Sequence, residues 1–283
     1  MSLPAYAVVA VGYDSQSEWN GFFESIRTSS VSPVSIVVVD NSPELSLRAK
    51  QWPTLPLTII HEPANRGYGS AANRGIKSLP SGVEWVAVCN PDTRFLPETV
   101  ETLLEHRDSF DSTGVLGPGI LTPSGDIFPS ARAIPGIRIG VGHALMSKIW
   151  PANPWTAKYL GSYDSTEPQS VGWLSGAFLL VNRSVCESIR GFDEGFFMFF
   201  EDVDLGRRVK QAGFRNVYVP SAQVTHSGAH STSAHEKKML LAHHRSAEIF
   251  LAKLYPHRYQ WPLRALLRVG LRVRARIQTR NVS

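Results

Sequence analysis

Short apolar runs alternate with helical patterns through the first half of the chain. Tyr6–Val11 (YAVVAV) reads as a first strand. Between Ser17 and Ile26 the apolar residues Trp19, Phe22, Phe23 and Ile26 recur at helical spacing. Val34–Val39 (VSIVVV) is an apolar run of the kind found in parallel strands covered on both faces. Leu57–His61 and Val83–Cys89 read as strands, and a helix at Gly67–Leu79 lies between them. Pro97–Arg107 reads as a helix opened by proline, and Val115–Leu121 as a further strand. This alternation predicts an α/β fold with a mixed, mainly parallel central sheet flanked by helices. The rhythm breaks from Thr122 to Ser170, where proline and glycine are frequent; that segment reads as an excursion or lid over a site. It returns with Trp173–Val181, a helix at Asp202–Ala212, a strand at Asn216–Val219 and a helix at Lys237–Leu254. The expected division is a main α/β domain over 1–234 and C-terminal helices with a basic tail over 235–283.

A chain of 283 residues, 43% hydrophobic and 19% charged, is long enough for a substantial core. Its apolar runs fall short of the roughly 18 residues that span a bilayer. The best candidate, Ile134–Trp150, is interrupted by Arg138, His143 and Lys148. The N-terminus lacks a basic region and leads directly into a strand, unlike a signal peptide. Cys89 and Cys186 lie in apolar segments and read as buried thiols in a reducing compartment. No CxxC or Cys/His cluster suggests zinc.

The net charge of +5 is unevenly placed. From Ile249 to Ser283 there are eight Lys or Arg and no acidic residue, so removing those eight charges from +5 leaves −3 elsewhere. Arg264, Arg268, Arg272, Arg276 and Arg280 fall four apart, beside a stripe of Leu263, Leu267, Leu271 and Ile277, with Trp261 at the start. This reads as a basic amphipathic helix suited to an anionic membrane surface. No nucleic-acid reader motif accompanies the arginines, so no nucleic-acid partner is expected.

The densest candidate chemistry is Gly191–Leu205 (GFDEGFFMFFEDVDL), with Asp193, Glu194, Glu201, Asp202 and Asp204 around an aromatic run. Burial of that run delivers Glu201-Asp202 to the edge of the core, where desolvation raises proton affinity toward what a general base needs. The same acids in the first turn of a helix would also complement its dipole. Ligands in open α/β sheets bind at the carboxyl ends of strands. Asp40-Asn41-Ser42 ends the second strand, and Asn65-Arg66-Gly67-Tyr68-Gly69 follows the third. The latter is neither GxGxxG nor GxxxxGK[ST]; its small residues suit either a diphosphate at a helix N-terminus or tight helix-on-sheet packing. Asn90-Pro91-Asp92 ends the fourth strand, where Asp92 can cap the next helix or hold a hard divalent cation that also binds phosphate. Nothing local singles out His226 from His230, His235, His243 and His244.

Six segments in order, VVVDNS, NRGYGSAANRGI, NPDTRF, WLSGAFLLVNR, GFDEGFFMFFEDVDLGRRVKQAGF and VTHSG, make the chain resemble glycosyltransferase family 2 from about Ala5 to His230. The resemblance implies a GT-A nucleotide-diphospho-sugar transferase fold. The run from NRGYG to FFEDVDL looks most like bacterial rhamnosyltransferases, which take dTDP-rhamnose and build cell-wall linkers or surface polysaccharides. It implies that Asp40 contacts the pyrimidine base and that Asn65, Arg66 and Gly67 lie along the nucleotide. Asp92 would be the metal carboxylate of the D-x-D motif for Mg²⁺ or Mn²⁺, with Asn90 at its first position as a weak or indirect ligand and His226 completing the site. Trp173, Ser175, Gly176 and Glu201 would border the acceptor, and Asp202 would be the catalytic base; Glu201, Asp204 and Arg207 are open candidates for orienting it. The implied reaction is an inverting transfer to a lipid-linked saccharide such as polyprenyl-diphospho-GlcNAc, on the inner face of the cell membrane. The alternatives are a UDP-hexose donor or a silent binding protein of the same fold.

Overall fold

Strand β1 (Tyr6–Gly12) is buried at every position. Its alternate residues enter two different clusters, Tyr6, Val8 and Ala10 on one face and Ala7, Val9 and Val11 on the other. It pairs in parallel with β2 (Ser35–Asp40) and β4 (Trp85–Cys89), and β3 (Leu57–His61) extends the parallel ladder beyond β2. This computed structural model describes residues 3–45, 47–48, 51–136, 165–228 and 236–280. Helix α1 (Trp19–Arg27) buries Trp19, Phe22, Phe23 and Ile26, as its spacing predicts. Helix α2 (Tyr68–Lys77) covers the opposite face through Ala71, Ala72 and Ile76. The register sets Gly12 level with Asp40 and Asp40 level with His61, so the polar strand ends form one edge.

The other half of the sheet is mixed. Strand β11 (Phe178–Asn182) runs antiparallel between β4 and β6 (Thr113–Leu121). Strand β12 (Arg215–His226) is parallel to β6, and β5 (Thr93–Phe95) is antiparallel to the end of β12. Among the described residues the order is β3-β2-β1-β4-β11-β6-β12-β5. Helices α3 (Thr99–Glu105), α4 (Arg183–Ser188) and α5 (Glu201–Gln211) complete this part.

Three sequence expectations change. The run Trp173–Val181 is broken by a turn at Ser175–Ala177 into β10 (Trp173–Leu174) and β11. The strand expected at Asn216–Val219 continues to His226, because a register shift between Val219 and Gln223 absorbs Pro220, which has no N–H to donate. The described ends of the 122–170 excursion are ordered. They form β7 (Ile127–Phe128) on β6, β8 (Ala131–Arg132) on β10, and β9 (Gln169–Val171) on β12. Residues 137–164, with most of the Ile134–Trp150 candidate, lie outside the described residues, as do His230 and His235.

Helix α6 (Glu236–Leu254) packs Phe250 against Phe196, Trp173 and Val203, and α7 (Trp261–Arg280) packs on α6. The tail is helical as its spacing predicts, but its leucine stripe is not the free one. Leu263, Leu267 and Leu271 are half-buried on the side of Ala275 and Gln278, and Gln278 bonds His244 of α6 at 2.9 Å. The exposed apolar row is Leu266, Val269, Val273 and Ile277. Among the described residues no helix is long and apolar enough to cross a membrane. Cys89 and Cys186 are buried free thiols.

Candidate active site

The turn Asn90-Pro91-Asp92 leaves β4 and enters β5, so Asp92 precedes a strand and does not cap α3, whose N-cap is Glu98. The β5–β12 register puts Thr93 opposite His226. That pairing brings the His226 ring to Asp92, Nε2 to Oδ1 at 3.1 Å, and to Asn90 Nδ2 at 3.3 Å. The Gly228 N–H donates to Asp92 Oδ2 at 3.1 Å. Burial pushes the Asp92 carboxyl up, but the His226 hydrogen bond and charge and the Gly228 amide outweigh it and hold the group below the usual carboxylate range. An open cavity of about 380 Å³ adjoins, lined by Asp92, Arg94, Thr122, Thr225 and His226.

Among the described residues no group of three or more His, Cys, Asp or Glu gathers as a metal-ligand set. Asp92 and His226 offer one carboxylate and one imidazole side by side. That donor pair fits a divalent cation whose other positions are filled by diphosphate oxygens and water.

The second centre is built by the aromatic run. Phe199 and Phe200 both adopt left-handed backbone, with φ of 64° and 67°. Such a conformation costs a non-glycine residue about 1–3 kcal/mol. Packing from α6 holds it: the Phe200 ring lies 5.3 Å from His243 and 5.5 Å from Phe250, and the Ser246 hydroxyl donates to the Met198 carbonyl at 2.7 Å. The run ends by starting α5 at Glu201-Asp202. Asp202 accepts from the Gly176 N–H (Oδ2, 3.0 Å) and from its neighbour Val203 N–H (Oδ1, 2.8 Å). Burial raises its carboxyl above the usual range, tempered by those amides and the charge of Arg132. Glu201 is buried with Oε2 unpartnered among the described residues, and burial together with the Asp202 charge pushes it up to about 8. Of the open candidates for orienting Asp202, Asp204 and Arg207 face elsewhere. Asp204 is fully buried against Arg208 (2.6 Å) and Arg207 (3.2 Å), and Lys253 of α6 joins Asp204 and Asp193. The Gly176 amide is what orients Asp202.

Sequence reasoning passed over Tyr68, which joins the centres. Its hydroxyl donates to the Gly176 carbonyl at 2.8 Å, and its N–H donates to the Phe197 carbonyl at 3.0 Å. Burial raises its phenol far above the usual range, reinforced by Cys89, Glu201, Asp202 and Asp92 around it. Gly67 before it has φ 99°, and a Cβ there would lie 2.2 Å from the Phe197 carbonyl oxygen, so only glycine fits. The next carbonyl after Gly176, that of Ala177, accepts from the Asn90 N–H (3.0 Å) and the Thr93 hydroxyl (3.1 Å). The Ser175–Ala177 turn therefore holds the Asp92 loop on one side and Asp202 on the other.

The remaining expected residues divide. Asp40 is buried, with Oδ1 accepting from the Ser42 N–H at 2.9 Å and Oδ2 unpartnered among the described residues, an acceptor open to a ligand N–H. Asn65 caps its own turn by accepting from the Gly67 N–H at 3.2 Å. Arg66 lines a separate groove of about 520 Å³ with Glu62, Arg74, Lys77 and Arg190, away from Asp92 and Asp202. Ser175 Oγ accepts from the Ala177 N–H at 3.4 Å, within the turn. Trp173 is packed into the core, its indole N–H on the Ala133 carbonyl (3.1 Å), and it meets the site through Arg132, whose guanidinium lies 5.5 Å over its ring. Arg132 itself carried no sequence signal.

Residues 13–190 match a family model described as glycosyl transferase family 2, and residues 165–241 match one described as glycosyltransferase like family 2. The N-acetylglucosaminyl-diphospho-decaprenol L-rhamnosyltransferase of Mycobacterium tuberculosis is 39% identical over 288 residues, covering 97% of this chain and 92% of that protein. Mannosyltransferase PcManGT from Pyrobaculum calidifontis, solved with GDP-Man and Mn²⁺, is similar at TM-score 0.59 and 15% identity, covering 91% of this chain and 66% of that one. GalNAc-T7, solved with UDP, GalNAc and Mn²⁺, is similar at TM-score 0.59 and 13% identity, covering 80% of this chain, which spans 44% of that one. The structural likeness shows the GT-A fold. The sequence matches show the kinship: the chain belongs to glycosyl transferase family 2.

Proposed function

We propose that this transferase moves L-rhamnose, with inversion, from dTDP-rhamnose to a hydroxyl of a polyprenyl-diphospho-GlcNAc acceptor in cell-wall or surface polysaccharide synthesis. It works at the inner face of the membrane that carries the acceptor. The observation that carries the reading is 39% identity across 97% of the chain to a protein whose name states rhamnosyl transfer to a lipid-linked GlcNAc. The geometry supports it. Asp40 Oδ2 is a buried acceptor without a partner among the described residues, suited to the ring N3–H of a thymine or uracil base. Asp92 and His226 would hold Mg²⁺ or Mn²⁺ against the donor diphosphate, where a bound cation neutralises charge on the leaving group. Asp202, held by the Gly176 and Val203 amides, takes the proton of the acceptor hydroxyl. The hydroxyl oxygen bonds the anomeric carbon as the bond to the diphosphate breaks on the opposite face, which inverts the centre.

The test is release of free nucleotide diphosphate from dTDP-rhamnose, UDP-glucose, UDP-galactose and UDP-GlcNAc, with and without polyprenyl-diphospho-GlcNAc. Release from dTDP-rhamnose that requires the acceptor is the expected result. Acceptor-dependent release from a UDP-hexose replaces the donor, and no release from any donor makes the chain a binding protein.

A further inference from the structure

Helix α7 has two apolar rows, and only one is covered. The covered row meets α6, where Arg268 and Arg272 also reach Glu248 at 3.4 and 3.0 Å. On the opposite side Leu266, Val269, Val273 and Ile277 are 70%, 59%, 48% and 57% exposed. Their spacing by threes and fours aligns them on one helix face. Trp261, 64% exposed, and Tyr259, 76% exposed, stand at the start of the same helix. The same spacing puts Arg272 and Arg276 along one flank of the row and Arg274 along the other. Neither Arg274 nor Arg276 makes an ion pair among the described residues. Twenty residues of helix form a rod about 30 Å long with an apolar edge, basic flanks and aromatic residues at one end.

We propose that the row Leu266, Val269, Val273 and Ile277 is the face by which the enzyme lies on an anionic lipid bilayer, with Trp261 at the interface and Arg274 and Arg276 on acidic headgroups. The inference rests on the lipid-linked acceptor reading and names the surface that meets the lipid. Charge selects this occupant over a second copy of the chain. No acidic residue occurs from Ile249 to Ser283, so two such faces brought together would confront arginine with arginine, whereas acidic headgroups supply the missing counter-charge. An exposed aliphatic row with basic flanks and a terminal tryptophan is the pattern of a helix lying in the membrane plane. The position in the fold also matters. Helix α6, against which α7 lies, is the one that holds Phe199, Phe200 and Met198 ahead of Glu201-Asp202. Two helices, α7 and α6, each about 10 Å across, then lie between the bilayer and the base loop.

Flotation of the full chain with vesicles tests this. Vesicles of phosphatidylcholine with phosphatidylglycerol are compared with phosphatidylcholine alone. The wild type is expected to bind the anionic vesicles at least about tenfold more tightly. Replacing the row (Leu266→Gln, Val269→Gln, Val273→Gln, Ile277→Gln) keeps good helix formers and is expected to weaken that binding by about tenfold or more. The doublet Arg274→Gln, Arg276→Gln is expected to reduce the preference for anionic lipid. All variants should transfer sugar to a short water-soluble GlcNAc-diphosphate acceptor as the wild type does, so a failed docking face and a failed activity are read separately. Unchanged vesicle binding by the row variant overturns the proposal. So does a wild type that sediments as a dimer and becomes monomeric when the row is replaced.

Discussion

The two centres of this transferase are held in different ways. On the donor side the groups that follow β2 and β3 are fixed locally, Asp40 to Ser42 and Asn65 to Gly67 across two positions each, whereas Asp92 is tied by distant bonds, to His226 and Gly228. On the acceptor side the bonds are long: Tyr68 to Gly176 spans 108 positions, Asn73 to Phe192 spans 119 and Ser246 to Met198 spans 48. In the parallel half of the sheet the ends of β2 and β3 turn with local bonds, while the end of β4 is held by Ala177, His226 and Gly228. The other half has to hold a left-handed Phe199-Phe200 turn and the adjacent carboxylates of buried Glu201 and half-buried Asp202, and it does so with contacts gathered from α2, the Ser175–Ala177 turn and α6. A desolvated carboxylate pair is expensive to keep, and distant contacts supply the stability that local structure does not.

The contrast can be broken most sharply at the proposed base. Asp202→Asn keeps the side-chain shape but only one of the two amide bonds, since its NH₂ cannot accept, and it removes the proton acceptor, which lowers kcat by about 10²–10⁴-fold. Donor affinity measured by calorimetry should be unchanged. The wild-type pH–rate profile sharpens the same point. A protonated base cannot accept, so activity is lost as pH falls through the Asp202 titration, and burial puts that acidic limb above the usual carboxylate range. Asp92→Ala acts on the other centre: transfer falls by at least about 10²-fold and donor binding weakens with it, because diphosphate charge loses its partner. Full wild-type activity in excess chelator would remove the cation from the donor side.

Tyr68→Phe tests the link between the centres. It deletes the bond to the Gly176 carbonyl without opening a cavity, and a loosened Gly176 amide no longer fixes Asp202. The expected loss is about tenfold in kcat with little change in KM for the donor, and a shift of the acidic limb of the pH profile. A matching loss of thermal stability with kcat unchanged would make Tyr68 a packing residue only.

The smallest effect is on stability. Burial, with the neighbouring Asp202 charge, pushes the Glu201 carboxyl up to about 8 in the folded protein, above the usual carboxylate range. Between the ordinary carboxylate range and that value the folded state keeps a proton that the unfolded chain has lost, so stability falls as pH rises through that window. Glu201→Gln cannot ionise, so denaturant titrations across that window should show a flatter slope and a more stable protein at its upper end. Equal slopes would mean that Glu201 is ionised in the folded protein.

Much of the donor half was legible because its signals are local. The apolar runs of β1 and β2 and the helical spacing of Trp19, Phe22, Phe23 and Ile26 announce a covered sheet, and Asp40 and Asn90–Asp92 stand at its strand ends. His226 had no local signal. Its place beside Asp92 is a product of β5–β12 register, between residues more than a hundred positions apart. Tyr68 was hidden for the same reason: an aromatic residue at the start of a helix gives no sign that its hydroxyl meets Gly176. Periodicity revealed an amphipathic α7, yet spacing alone assigned the leucine row to the outside. Which of two apolar stripes is covered depends on α6, whose packing against the base loop is a tertiary fact.

The clamp on the base loop has a consequence for how each molecule begins its working life. The chain is made from the N-terminus, and elements fold as they emerge. A nascent chain grown as far as His226 already contains Asp40, Asp92, Asp202 and their sheet. It does not yet contain Ser246, Phe250 or Lys253, which hold Met198, Phe200, Asp193 and Asp204. Such a chain has its strand-end carboxylates before the turn that carries Asp202 has been clamped. The order of the gene thus puts the clamp last, and the Glu201-Asp202 turn is set only once α6 has been translated.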